Sequence, residues 1–140
     1  MYKSIIFDIG GVMVDFDPKA YLVDRLCSAE MEEKVYDLTF GSEEWKKLDA
    51  GLISRFEGNA TMLKNAQAAG CEFEVQGVLD DWTHILRPRH RMIELVRRLK
   101  NHGYCVYYLS NIPEDILELL TARGVLDQFD GGVASCEVHI

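Results

Sequence analysis

Two short apolar runs, each stopped by a polar residue at its C-terminal end, constrain the fold of this chain more than any other feature. Ser4-Ile5-Ile6-Phe7 ends at Asp8 with Gly10-Gly11 just beyond, and Tyr104 to Leu109 ends at Ser110-Asn111. A brief continuous apolar run closed by a turn signal is how a parallel strand buried on both faces reads. Parallel strands need a long crossover between them, and right-handed crossovers bring their C-terminal ends to one rim of the sheet. The spacing therefore predicts that Asp8 and Ser110 share a rim, which is where open α/β sheets bind ligands.

The residues between the runs follow a helical pattern. Asp17-Pro18 offers an N-cap with Pro at the first helical position, and Tyr21, Leu22 and Leu26 follow at helical spacing. Met31, Val35 and Leu38 continue the pattern, Ser42 is placed to cap Glu43 to Leu48, and Ser54-Arg55-Phe56-Glu57 fits a capping box closed later by Gly70. Val78, Leu79 and Trp82 suggest one more short helix over 71–83, although Gly77 weakens it. Pro88 opens a helix with Met92, Ile93, Val96 and Leu99 on one face and Arg91, Arg97, Arg98 and Lys100 on the other. After the second run, Pro113 starts a helix that Gly124 closes, and Gly132 to Val138 reads as a third strand. The fold class is α/β. Residues 1–16 and 85–140 are expected to form a partial parallel sheet of about three strands, with 17–84 as a helical insertion over its rim.

Charge narrows the partners. The chain has 140 residues and a formal charge of -8, which argues against nucleic acid or an anionic membrane surface as its target. Its 48% hydrophobic and 27% charged residues suit an ordinary soluble domain, and no apolar run approaches membrane-spanning length. The start methionine leads straight into a strand without a signal-peptide pattern, so a cytoplasmic location is expected. Four widely spaced cysteines, Cys27, Cys71, Cys105 and Cys136, form no C-x-x-C pair and read as reduced thiols. Arg87, Arg89, His90, Arg91, Arg97 and Arg98 read as a solvated basic helix face.

An Asp that follows a buried strand and precedes two glycines is a candidate nucleophile or metal ligand, because glycines let backbone amides approach an anion. That is Asp8. Ser110 and Asn111 end the next strand with a hydroxyl and an amide able to donate to phosphate oxygens, just before a helix N-terminus.

Phe7-Asp8-Ile9-Gly10-Gly11-Val12-Met13-Val14-Asp15 resembles motif I of the haloacid dehalogenase (HAD) superfamily of phosphohydrolases, and Tyr107-Tyr108-Leu109-Ser110-Asn111 resembles its motif II. The insertion between them resembles the helical C1 cap of the subgroup that holds haloacid dehalogenases and sugar phosphatases. The bacterial alpha-glucose-1-phosphate phosphatase type is the nearest likeness, and Leu126-Asp127-Gln128-Phe129-Asp130-Gly131 is similar to that subgroup as well. The resemblance implies a HAD-like, Rossmann-like core and hydrolysis of a small phosphorylated metabolite through an aspartyl-phosphate on Asp8. It implies Mg²⁺ as cofactor, held by Asp8 and the Gly10 carbonyl, with Ser110, Asn111 and Gly11 at the phosphate. Asp15, Trp45 and Arg55 are candidates for the hinge or substrate-facing surface of the cap.

Two departures accompany the likeness. Gly10 stands where many of the family's phosphatases carry a second Asp as general acid and base, as it also does in the alpha-glucose-1-phosphate phosphatase type. The family's later Lys-containing motif III and acidic motif IV have no counterpart before Ile140. A chain without them leaves the first strand at an open sheet edge, which invites pairing with another chain. A homo-oligomer through that edge is therefore expected. The competing reading is a non-catalytic HAD-like fragment that serves as a binding or oligomerisation module.

Overall fold

The structure is a computed structural model that describes residues 2–140. In chain order the elements are β1 (Ser4–Phe7), α1 (Pro18–Arg25), α2 (Ala29–Leu38), α3 (Glu43–Asp49), α4 (Arg55–Ala69) and α5 (Glu72–Asp81). A 3-10 turn (Trp82–Ile85), α6 (His90–Asn101), β2 (Cys105–Ser110), α7 (Glu114–Ala122), β3 (Gly131–Ala134) and α8 (Ser135–Val138) complete them. The chain divides into two compact units. One runs to Phe16, includes Asp49–Gly51 and resumes from Leu86 to the end, while the other holds Asp17–Leu48 and Leu52–Ile85.

The first unit is built on a three-stranded parallel sheet in the order β1-β2-β3. Phe7 stands opposite Tyr108, and Ser110 opposite Ala134. On one face Val106, Ser110 and Ala134 are buried, α6 packs on β2, and Phe7 and Tyr108 both meet the Phe129 ring edge-on. Val96, Ile116, Leu120 and Val125 are buried in the same unit.

The other face is open, against the reading of strands buried on both sides. Ile6, Tyr107, Leu109 and Val133 are 64%, 36%, 57% and 43% exposed. Burial along β2 alternates because the helices of this unit cover one side of the strand, and period-2 exposure follows.

The third strand is also shorter than the sequence suggests. It ends at Ala134, and Ser135 turns the chain into the single turn of α8. Tertiary bonds explain the early stop: the Ser135 hydroxyl accepts the Ile112 amide at 3.0 Å and donates to the Asp49 carbonyl at 2.5 Å. Likewise α6 starts at His90 rather than Pro88. Pro88 is paired with Val14 in an antiparallel bridge, and the Arg89 amide donates to the Met13 carbonyl at 2.8 Å. Proline has no amide to contribute there, so the pairing is carried by its neighbours.

The second unit is helical throughout. α1 packs on α2, α4 on α5, and α2 against both α4 and α5, around Leu22, Val35, Met62, Ala66, Val75 and Val78. Its helix starts follow the sequence signals. Asp17 accepts the Ala20 amide at 3.0 Å, and Ser54 with Glu57 makes both bonds of the capping box. Gly77 lies inside α5, where a Cβ would meet the end of the Arg25 side chain, which bonds Asp81 at 2.5 Å.

Candidate active site

The chain leaves β1 at Asp8 and makes one tight turn. The Ile9 carbonyl accepts the amides of Val12, Met13 and Val14 at 3.2, 2.8 and 3.1 Å, and the Gly11 amide donates to the Val14 carbonyl at 2.8 Å. Gly11 adopts φ +74°, which glycine reaches without a Cβ penalty. Ile9, Met13 and Val14 are fully buried, so the turn is anchored in the core while Asp8 stays exposed at its start. Asp8 Oδ1 accepts the Ile9 amide at 2.7 Å, which leaves its second oxygen for other chemistry.

Ser110 ends β2 on the same rim. Because Phe7 pairs with Tyr108, Asp8 lies one step and Ser110 two steps beyond that rung. The register therefore brings both to the same rim, with Asp8 in line with Leu109 and Ser110 one residue further along its strand. Ser110 is buried and Asn111 exposed, and Pro113 leads into α7, whose first turn carries Glu114 and Asp115. Between them, the Ile112 amide is held by Ser135. Ser135 therefore braces the loop after β2, a role hidden in the sequence because 132–138 reads as one strand. A Ser directly after a short Gly-rich strand was the available signal, since serine favours helix starts.

The remaining candidates divide between the two units. Gly11 is committed to the turn through its amide, and its carbonyl accepts Arg89 Nη1 at 2.6 Å. Asp15 is ion-paired with Arg89 at 2.7 Å, and its amide donates to the Arg87 carbonyl. Trp45 is 6% exposed and packs with Phe40 and Trp82 at ring separations of 4.7 and 4.9 Å. The Arg55 guanidinium lies 4.9 Å from the centre of the Trp45 ring and 5.4 Å from that of Trp82, within cation–π range. Asp17 is the N-cap of α1.

For a metal, the rim offers the Asp8 carboxylate and the Gly10 carbonyl. Among the described residues no group of three or more His, Cys, Asp or Glu is arranged to hold an ion. Two hard oxygen ligands suit Mg²⁺, which binds through one or two carboxylates and takes the rest of its shell from phosphate and water. The four cysteines are free, and burial raises the thiol pKa of Cys71 and Cys136, which keeps both as inert core groups.

No protein-family model matches the sequence. The structure superposes on a HAD family enzyme of Bacteroides thetaiotaomicron, solved with magnesium and inorganic phosphate, with TM-score 0.68 over 100% of this chain and 72% of that one at 18% identity. A predicted HAD-like hydrolase of Porphyromonas gingivalis gives TM-score 0.65 over 99% and 69% of the two chains at 21% identity. This chain has the HAD fold. In sequence it is 32% identical over 135 residues to the sesquiterpene phosphatase astK of Aspergillus oryzae, a match that takes in 96% of this chain. The chain spans 64% of that relative's length. Within the HAD fold, the strand ends that carry Asp8 and Ser110 are those picked out by the apolar runs.

Proposed function

We propose that this chain carries the nucleophile and phosphate-holding part of a Mg²⁺-dependent phosphohydrolase of small phosphomonoesters. The observation that supports the reading most is an exposed carboxylate, Asp8, on a core-anchored turn at the same rim of a parallel sheet at which the strand carrying Ser110 ends. The relative named as a phosphatase and the fold neighbour solved with magnesium and phosphate support the same chemistry.

In this reading the free Asp8 oxygen attacks phosphorus, the bond from phosphorus to the alcohol oxygen breaks, and an aspartyl-phosphate forms for water to hydrolyse. Ser110 and Asn111 hold the non-bridging oxygens, while Gly11 shapes the loop. Asp8 and the Gly10 carbonyl would hold Mg²⁺, which offsets phosphate charge when bound. Asp15 and Asp17 already serve as an ion-pair partner and a helix cap, so the leaving alcohol takes its proton from water at the exposed rim. Substrate class is open to a direct choice between a sugar phosphate, following the motif likeness, and a sesquiterpenyl phosphate, following the relative's name. We place the activity in the cytoplasm; no described helix is long and apolar enough to cross a membrane.

A second reading is favoured by the open sheet face and by the position of β1 at an end of the strand order. There the chain is a non-catalytic module that self-associates through the β1 edge. Hydrolysis of para-nitrophenyl phosphate, glucose 1-phosphate and farnesyl phosphate, with and without Mg²⁺, separates the two. The enzyme reading expects Mg²⁺-dependent turnover that Asp8→Asn lowers by at least roughly a thousand-fold. A folded sample without turnover on any of the three would leave the module.

A further inference from the structure

We infer that Arg89 is a positioning residue for the loop that follows Asp8, a role that rests on the phosphohydrolase reading. Arg89 lies just before α6, more than seventy residues downstream of that loop, yet bonds it three times. Nη1 donates to the Gly11 carbonyl at 2.6 Å, Nε to Asp15 Oδ1 at 2.7 Å, and the Arg89 amide to the Met13 carbonyl at 2.8 Å. The Asp15 amide returns a bond to the Arg87 carbonyl at 2.8 Å.

The peptides on either side of Gly11 explain why this grip matters. A planar trans peptide ties the direction of the Gly10 carbonyl to that of the Gly11 amide, and Val14 holds that amide. The next peptide turns on Gly11 itself, at φ +74°, where a residue without a side chain has no preference that would keep it in place. Its carbonyl is held by a charged donor, the stronger class of hydrogen bond, and that donor is oriented in turn by Asp15. Arg89 thus fixes the glycine whose conformation sets where the Gly10 carbonyl, one of the two proposed Mg²⁺ ligands, faces. Lysine cannot reproduce the two-pronged contact, because its single ammonium lacks the planar fork.

The test compares Arg89→Ala, Arg89→Lys and Asp15→Ala with the unaltered protein by amide hydrogen exchange over residues 10–15, without metal or substrate. Mg²⁺ titration of para-nitrophenyl phosphate hydrolysis runs in parallel. Loss of the charged bond should speed exchange at the Gly11 and Val14 amides on the order of ten-fold in Arg89→Ala, with Arg89→Lys in between. The half-saturating Mg²⁺ concentration should rise by a similar factor while KM for the ester changes little. Unchanged exchange at Gly11 in folded Arg89→Ala overturns the inference, whatever the activity. If Arg89→Ala does not fold, Asp15→Ala carries the test, and unchanged exchange there overturns it equally. Failure of the phosphohydrolase reading is separate: it shows as no turnover in the folded protein, or as turnover that survives Asp8→Asn, with exchange still responding to Arg89.

Discussion

Asp8 and Gly11 do opposite things to one turn: the first is left open to solvent, the second has both its peptide groups tied down. The sequence shows both residues, because an acid between a strand and two glycines is a local pattern. It does not show Arg89 or Ser135, whose partners are more than seventy residues and more than twenty residues away. Long-range side-chain bonds leave no periodic trace. Gly51 belongs to the same class. It holds φ +64°, and a Cβ on it would lie 2.4 Å from the Cys136 carbonyl oxygen, a backbone atom that cannot swing aside. Gly51→Ala is therefore expected to destabilise by more than about 1 kcal/mol, through backbone strain and a clash together, and chemical denaturation measures it.

At the scale of elements, what reads well is what is local. Caps at Asp17 and Ser54 appear as the sequence places them, since capping needs only residues three apart. The third strand reads poorly because its end is set by Ser135 bonds to Ile112 and Asp49 rather than by its own composition. Between α1 and α5, Tyr21 donates to Asp81, and Arg25 pairs with the same carboxylate at 2.5 Å. Burial first, and the Asp81 bond second, push the Tyr21 phenol up to about 12 from 10.0. The folded pKa lies above the unfolded one, so the associated stability is complete below pH 10 and is lost as pH rises toward 12. Alkaline unfolding curves should lose that component in Tyr21→Phe; an identical fall in both proteins over this window would refute it.

For the whole molecule, the parallel sheet was legible as a sheet but its open face was not. Apolar runs indicate that strands are buried; they carry no information on how many faces the same chain covers. The exposed side chains of Ile6, Tyr107, Leu109 and Val133, next to the free side of β1, form a surface of the kind that draws in another polypeptide. We expect self-association that rises with concentration in sedimentation equilibrium. Ile6→Lys and Leu109→Glu should shift it toward monomer, since charge on an edge or apolar face opposes pairing. A monomer across the full concentration range would contradict self-association.

The proposed chemistry requires a carboxylate oxygen of Asp8 to bond phosphorus. The protein is incubated with para-nitrophenyl phosphate and Mg²⁺, quenched, reduced with borohydride, and mapped by peptide mass spectrometry for the alcohol that replaces a phosphorylated carboxylate. Reduction confined to Asp8 and absent from Asp8→Asn is the predicted result. Phosphate release that persists in Asp8→Asn, or a label on any other residue, would contradict it.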